Sequence, residues 1–317
     1  MSRTKIALVG AGQIGGTLAL LVAQKRLGDA VLIDIMEGPA KAKALDLSQM
    51  GATEDLDCSL TGTSDYAELV GSDVVIITAG IPRKPGMSRD DLLAINTPII
   101  QKIGEAIKIH CPESFVVCIS NPVDVMVQIL HASSGLPANK CVGMGGRLDS
   151  SRMEFFLAEK LGVSVSDVRT HILGGHGDLM VPLVRYTSVS GIPLSAWVEM
   201  GRISEQEIED ICQRTQSGGG EIVKLFGNGS AFYAPAAAAI QMVESHLQDR
   251  QRVLSCVAQL EGEYGISGVY CGVPVVIGKR GIESIVQLPL TEAEHAAFHK
   301  SVNNLKEVVK TAQGFMQ

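Results

Sequence analysis

Apolar residues fall into two regimes along the chain. Up to about residue 145, short runs of aliphatic and β-branched residues alternate with stretches of helical period. Strands are expected over 5–9, 30–33, 74–78, 115–119 and 141–144, with a weaker one near 58–62. Helical spacing runs over 17–25 and 97–110. Alternation of this kind predicts right-handed βαβ units and a doubly wound parallel sheet covered on both faces. Beyond that point a helix over 150–161 leads into 168–173 and 181–188, expected as an antiparallel pair turned at Gly191. Helices over 204–226 and 234–247 follow, then strands over 253–260, 269–277 and 284–288, and a last helix from Thr291. The expected architecture is α/β, with residues 1–145 forming the parallel-sheet domain and 146–317 an α+β domain.

Composition narrows the class. Hydrophobic residues make up 46 % and charged residues 19 %, which suits a globular chain and argues against disorder. A net charge of −7 argues against nonspecific binding to nucleic acid or anionic membrane. No stretch approaches the roughly 18 uninterrupted apolar residues of a membrane helix. The seven cysteines form no CxxC pair, and several lie in apolar runs such as Val117-Cys118-Ile119, so buried free thiols are expected and no metal site. Those thiols and the lack of a secretory pattern predict a cytoplasmic chain.

Candidate chemistry begins at Gly10-Ala-Gly12-Gln13-Ile14-Gly15, between the first strand and the first helix. Glycines so spaced allow a tight turn, close approach of a pyrophosphate and close helix–strand packing. Alone the motif reads equally as a glycine-rich turn. Asp34 ends the next strand, where a carboxylate bonds ribose hydroxyls and repels a 2′-phosphate. Together they point to a Rossmann dinucleotide fold that takes NAD rather than NADP.

Two arginines, Arg83 and Arg89, lie in the proline- and glycine-bearing segment that follows the strand at 74–78. A basic loop in an acidic protein is a local anion device, or else solvated charge. His176 sits between glycines in Leu173-Gly-Gly-His-Gly-Asp178, uncovered enough for proton exchange, or simply in a turn. Asp149 and Arg152 share a helix face at i, i+3, as a site or a local ion pair. Asn121, in Ser120-Asn-Pro-Val-Asp124, follows a strand's carboxyl end, where doubly wound sheets bind ligands and plain Asn-Pro turns also occur. His246, His295 and His299 read as surface residues of amphipathic helices.

In order, GAGQIG with Asp34, TAGIPRKPGMSRDDLL, SNPVD, LDSSR, GGHGD and GVPVVIG span the chain. With these six motifs the chain resembles the lactate/malate dehydrogenase family of 2-hydroxy-acid dehydrogenases, end to end, and most of all its lactate-dehydrogenase-like malate dehydrogenases. The resemblance implies that His176 is the general acid/base and Asp149 its carboxylate partner. It implies that Arg152 clamps the substrate C1 carboxylate, and that Arg89 and Asn121 polarise the reacting carbonyl. Gly80 and Asn96 are implied to line the NAD site, with Thr78, Ala79, Ile119 and Asn121. Ser230 and Ala231 are implied on the substrate side.

Arg83 matches the specificity position of the family, where arginine accompanies a second substrate carboxylate. Opposite pyruvate's methyl group it would stand uncompensated under a closed loop. Opposite oxaloacetate it would be paired, and a polar site rejects an analogue lacking the partner by roughly 10⁴-fold. Malate/oxaloacetate is therefore expected, with lactate/pyruvate or dual specificity as the alternative. A catalytically silent dinucleotide-binding protein is the rival outside the class, and a homotetramer or homodimer is implied.

Overall fold

The computed structural model describes residues 3–82, 87–227 and 229–316. Its first half runs β1 (Lys5–Val9), α1 (Gln13–Gln24), β2 (Asp29–Ile33), α2 (Glu37–Glu54), β3 (Leu60–Thr63), β4 (Val74–Ile77), α3 (Arg89–His110), β5 (Phe115–Cys118), α4 (Val123–Ser134) and β6 (Cys141–Gly143). Then come α5 (Gly146–Leu161) and five two-residue strands, β7 (Val168–Arg169), β8 (Ile172–Leu173), β9 (Val181–Pro182), β10 (Ser188–Val189) and β11 (Ile192–Pro193). The chain closes with α6 (Leu194–Glu199), α7 (Glu205–Phe226), α8 (Tyr233–Leu247), β12 (Arg252–Glu261), β13 (Ser267–Gly278), β14 (Gly281–Ile285) and α9 (Glu292–Gln313).

One nine-stranded sheet has the order β14-β13-β12-β6-β5-β4-β1-β2-β3. The strands from β6 to β3 are parallel, and the winding reverses between β1 and β4. Alternate residues bury on opposite faces. Ile6 and Leu8 of β1 join one apolar cluster, while Ala7 and Val9 join the other. That period of two, with both faces covered, explains why these strands are continuous apolar runs in the sequence. The C-terminal strands extend the same sheet: β12 pairs antiparallel with β6 at Val257 and Gly143. A third cluster lies apart, under α5 and α7, around Met153, Leu157, Ile172 and Ile208.

Several sequence expectations change. The helix expected from residue 97 begins at Arg89, because Ser88 and Asp91 form a reciprocal capping box upstream of Pro98. Residues 168–188 are antiparallel only in fragments, β8 with β9 and β7 with β10, since 184–186 tighten into a 3₁₀ turn. Gly191, with Ser190 also at positive φ, turns β10 into β11 and not the longer pair. The last strand ends at Ile285. His246 is no surface residue: its ring stacks on Phe115 at 4.4 Å and its Nδ1 meets the Gly278 carbonyl at 3.0 Å. The seven cysteines are free, six of them buried. No helix among the described residues is long and apolar enough to cross a membrane.

Candidate active site

The loops after β1, β4, β5 and β6 all lie at the carboxyl edge of the parallel strands, around the reversal between β1 and β4. That is where open α/β sheets hold ligands. The loop after β1 depends on its glycines. Gly10 has φ +108°, and a Cβ on Gly15 would lie 1.9 Å from the Gly10 carbonyl oxygen. A Cβ on Gly12, by contrast, would meet nothing within 4 Å. Gly12 and Gln13 are exposed and Ile14 half-buried.

Helix α1 starts there with no side-chain cap and no acidic residue in its first turn. Helices α3, α7 and α9 each carry a full capping box. The free N–H groups of α1 and the open cradle at Gly12 fit a pyrophosphate. Asp34 stands beside them, accepting N–H bonds from Ala11 at 2.7 Å and Met36 at 2.9 Å. Sequence reasoning missed Lys43 of α2, whose ammonium donates to the carbonyls of Ala11 (2.7 Å) and Gly12 (2.6 Å). Burial lowers its pKa and the Asp34 charge works against that fall. It lies outside every motif, so only the fold brings it to the loop.

Thr78 and Ala79 are half-buried, Gly80 is exposed, and Ile119 is 4 % exposed. Asn96, expected to line the cofactor, is 0 % exposed. Its Oδ1 accepts the Ile81 N–H at 2.9 Å, and its Nδ2 donates to the carbonyls of Ile81 and Asn121. It braces the loop after β4 against the loop after β5, so it shapes the edge from behind. Braced in this way, Asn121 leaves its own side chain exposed at that edge.

His176 lies on the loop after β8, held from three sides. Gly174 exchanges two backbone hydrogen bonds with Gly272 of β13, Gly175 donates to Ser301 Oγ of α9, and His176 N–H donates to Asp124 Oδ2 of α4 at 2.9 Å. Its Nδ1 bonds Asp149 Oδ2 at 2.7 Å. The other oxygen of Asp149 accepts from Arg152 Nη1 at 3.0 Å. Asp149 is 1 % exposed in the first turn of α5, where the helix N-terminus favours its charge.

With Nδ1 taken, Nε2 is the nitrogen left to meet a ligand. Burial disfavours the imidazolium, but the Asp149 charge and hydrogen bond, with Asp124 behind, more than offset it against Arg152, so the pKa of His176 is raised. Arg152 keeps spare donors: its Nε is buried without a partner among the described residues. Room for that side chain comes from α7, where a Cβ on Gly218 would lie 3.1 Å from Arg152 Cδ. A proton donor and a planar cation thus stand side by side, suited to a carbonyl next to a carboxylate.

The remaining expected residues are not gathered here. Arg89 is the first residue of α3, exposed, with Nη1 3.5 Å from Asn304 Oδ1 of α9. No hydrogen bond among the described residues joins it to His176. Ser230 and Ala231 precede α8, and no hydrogen bond among the described residues ties them to the His176 cluster. Arg83, with Lys84, Pro85 and Gly86, lies outside the described residues.

Comparison with known proteins matches residues 4–143 to the lactate/malate dehydrogenase NAD binding domain, and residues 146–316 to the lactate/malate dehydrogenase alpha/beta C-terminal domain. Malate dehydrogenase of Methylobacterium radiotolerans is 53 % identical over 314 residues, 99 % of this chain and 98 % of that one. The crystal structure of Cryptosporidium parvum malate dehydrogenase superposes with a TM-score of 0.96 at 47 % identity, over 98 % of this chain and 99 % of that one. A lactate dehydrogenase from the same organism, complexed with lactic acid and nicotinamide adenine dinucleotide, gives a TM-score of 0.96 at 43 % identity, over 99 % of both chains.

Proposed function

Because the chain belongs to the lactate/malate dehydrogenase family, we propose that it interconverts malate and oxaloacetate with NAD, using His176 as the general acid/base. The observation that carries this reading is the shared carboxylate of Asp149. One oxygen holds His176 Nδ1 and the other holds Arg152, which leaves Nε2 and the rest of the guanidinium to one small ligand.

Bound NADH supplies the hydride that the C2 carbon of the oxo acid accepts. His176 gives its Nε2 proton to the carbonyl oxygen as charge develops there, and Asp149 stabilises the imidazolium beforehand. Arg152 binds the C1 carboxylate with the donors that Asp149 leaves free. Arg89 comes in from the start of α3 to polarise the carbonyl, and Asn121 donates to the same oxygen from the loop after β5. The open glycine cradle and bare α1 N-terminus take the pyrophosphate, and Asp34 takes the ribose. Residues 1–145 are then the cofactor half and 146–317 the substrate half, with Ser230 and Ala231 on the substrate side.

Arg83 decides the substrate by pairing with a second carboxylate. A discrimination of roughly 10⁴-fold corresponds to about 5 kcal/mol. Mixing the purified chain with NADH and oxaloacetate should bleach the reduced-nicotinamide band, and no loss of absorbance would sink the enzyme reading. In the same assay kcat/KM should favour oxaloacetate over pyruvate, and Arg83→Gln should damage the oxaloacetate value far more. The second reading, lactate or dual specificity, draws on the equally close superposition of a lactate dehydrogenase; a preference for pyruvate would select it. Six buried free thiols favour a reducing, cytoplasmic setting. The family reading adds a homotetramer or homodimer, which light scattering distinguishes from a monomer.

A further inference from the structure

The mechanism above gives Asp124 no task, yet its carboxylate is 2 % exposed and directly behind His176. It sits in the first turn of α4, as Asp149 sits in the first turn of α5. Neither helix has a side-chain cap, so two bare helix N-termini each hold one carboxylate against the same histidine. Asp124 Oδ2 accepts the His176 main-chain N–H at 2.9 Å, while its Oδ1 is buried with no partner among the described residues. Among the described residues no lysine or arginine forms an ion pair with it.

The groups that face it are His176 from the loop after β8, Asp149 from α5 and the buried thiol of Cys271 from β13. Burial pushes its own pKa up to about 6, with His176 pulling the other way. A buried carboxylate with a lone oxygen is costly unless a charge answers it. Here the answering charge is the imidazolium. With His176 protonated, Arg152 and His176 balance Asp149 and Asp124. Once the proton leaves, one negative charge is stranded in the protein interior.

We propose that Asp124 is a positioning residue for His176: it anchors the histidine's main chain and, jointly with Asp149, supplies the negative charge that keeps the imidazole loaded with a proton. This rests on His176 being the general acid. Reduction of oxaloacetate needs protonated His176, so kcat/KM falls as pH rises through the pKa of that group.

Asp124→Asn keeps an oxygen for the His176 N–H and removes the charge. The descending limb should move to lower pH by about half to one unit, a loss of roughly 3- to 10-fold on its alkaline side. The acidic plateau should stay within about 2-fold, and Tm near about pH 8 should hold or rise, because a buried charge is gone. An unmoved limb, or a fall in Tm with equal loss of rate at every pH, would overturn the proposal in favour of a merely structural aspartate.

His176→Asn measured alongside separates the two claims. If it still reduces oxaloacetate at the wild-type rate, the general-acid reading falls and this one with it. If it is inactive while the limb of Asp124→Asn stays in place, this proposal alone falls. Carbon-13 carboxyl titration of the unsubstituted chain needs no variant to fold. Asp124 should be ionised by about pH 8, and a carboxyl still protonated there overturns the proposal.

Discussion

The cofactor edge and the proton site lie at the same end of the sheet but are built from opposite materials. The edge is backbone: glycines at 10, 12 and 15, an uncapped helix end, and carbonyls of Ala11 and Gly12 held by Lys43. Its side chains mostly have to be absent. The proton site is side chains of opposing charge: Asp124 and Asp149 buried, Arg152 and His176 half-buried against them. A backbone site is broken by adding an atom, whereas a site of balanced charges is broken by removing one.

The largest expected effect is on the charge side. Asp149→Asn removes the partner that raises the pKa of His176 and leaves Arg152 without its ion pair. Turnover near neutral pH should fall by about 10³- to 10⁴-fold, as when an orienting carboxylate is lost beside a catalytic histidine. Stability has a sign as well. A histidine whose folded pKa is raised lends stability that is fully present below its unfolded pKa and lost as pH rises through the folded value. The Tm deficit of the variant should therefore be larger at about pH 6 than at about pH 9. An equal deficit at both would mean that the Arg152 pair, and not His176, carries the cost.

On the backbone side, Gly15→Ala and Gly12→Ala should part company. A Cβ at Gly15 runs into the Gly10 carbonyl at 1.9 Å, so α1 must shift off the loop, at a cost of about 3 kcal/mol or more. Thermal unfolding should show it even without cofactor. At Gly12 a Cβ finds open space, so Tm should hold while the KM for NADH rises about 10-fold or more. If both KM and Tm stay put at Gly12, the pyrophosphate does not lie where the α1 N-terminus points.

This contrast also explains what was legible beforehand. The edge is one contiguous motif, because a strand–turn–helix is local and its glycine spacing is set by local sterics. The proton site is drawn from positions 124, 149 and 176, joined only by sheet topology, so spacing alone left each as a turn or a local pair and the family resemblance had to connect them. Asp124 stood inside a quoted motif, but α4 was hidden: Val123-Asp-Val-Met-Val-Gln-Ile-Leu130 is apolar on nearly every face, and the helix is correspondingly buried. Helix α2 was hidden for the reverse reason, since only Ala40 and Ala44 of its 18 residues are buried. Lys43 was lost with it. The mixed nine-stranded sheet was not legible either, because a single pairing of Val257 with Gly143 joins the two halves.

Lys43 tests whether the edge really is indifferent to side chains. Lys43→Met keeps the aliphatic stem, which passes within 3.2 Å of where a Cβ on Gly16 would lie, and removes the ammonium from the Ala11 and Gly12 carbonyls. Two charge-assisted bonds at a partly exposed group suggest a rise of about 5- to 10-fold in the KM for NADH. The oxaloacetate KM should be unchanged. A change in both would show the loop acting on the substrate half.

The smallest effect draws the boundary between the two materials within one helix. Helix α7 carries Gly218, Gly219 and Gly220 in its interior, although each glycine there costs about 1 kcal/mol relative to alanine. Gly220 is exposed with nothing within 4 Å of a Cβ, so Gly220→Ala should raise stability by about that amount and leave kinetics alone. Gly218 faces Arg152, and a Cβ there would stand 3.1 Å from Cδ and 3.5 Å from Nε. The arginine is tethered by Asp149 at its far end, so it gives way by tilting the guanidinium. Gly218→Ala should gain the same helix propensity yet raise the oxaloacetate KM about 3- to 10-fold, with the NADH KM held. If the two alanines behave alike in kinetics, Arg152 is placed by Asp149 alone, and the glycine face of α7 belongs to neither kind of site.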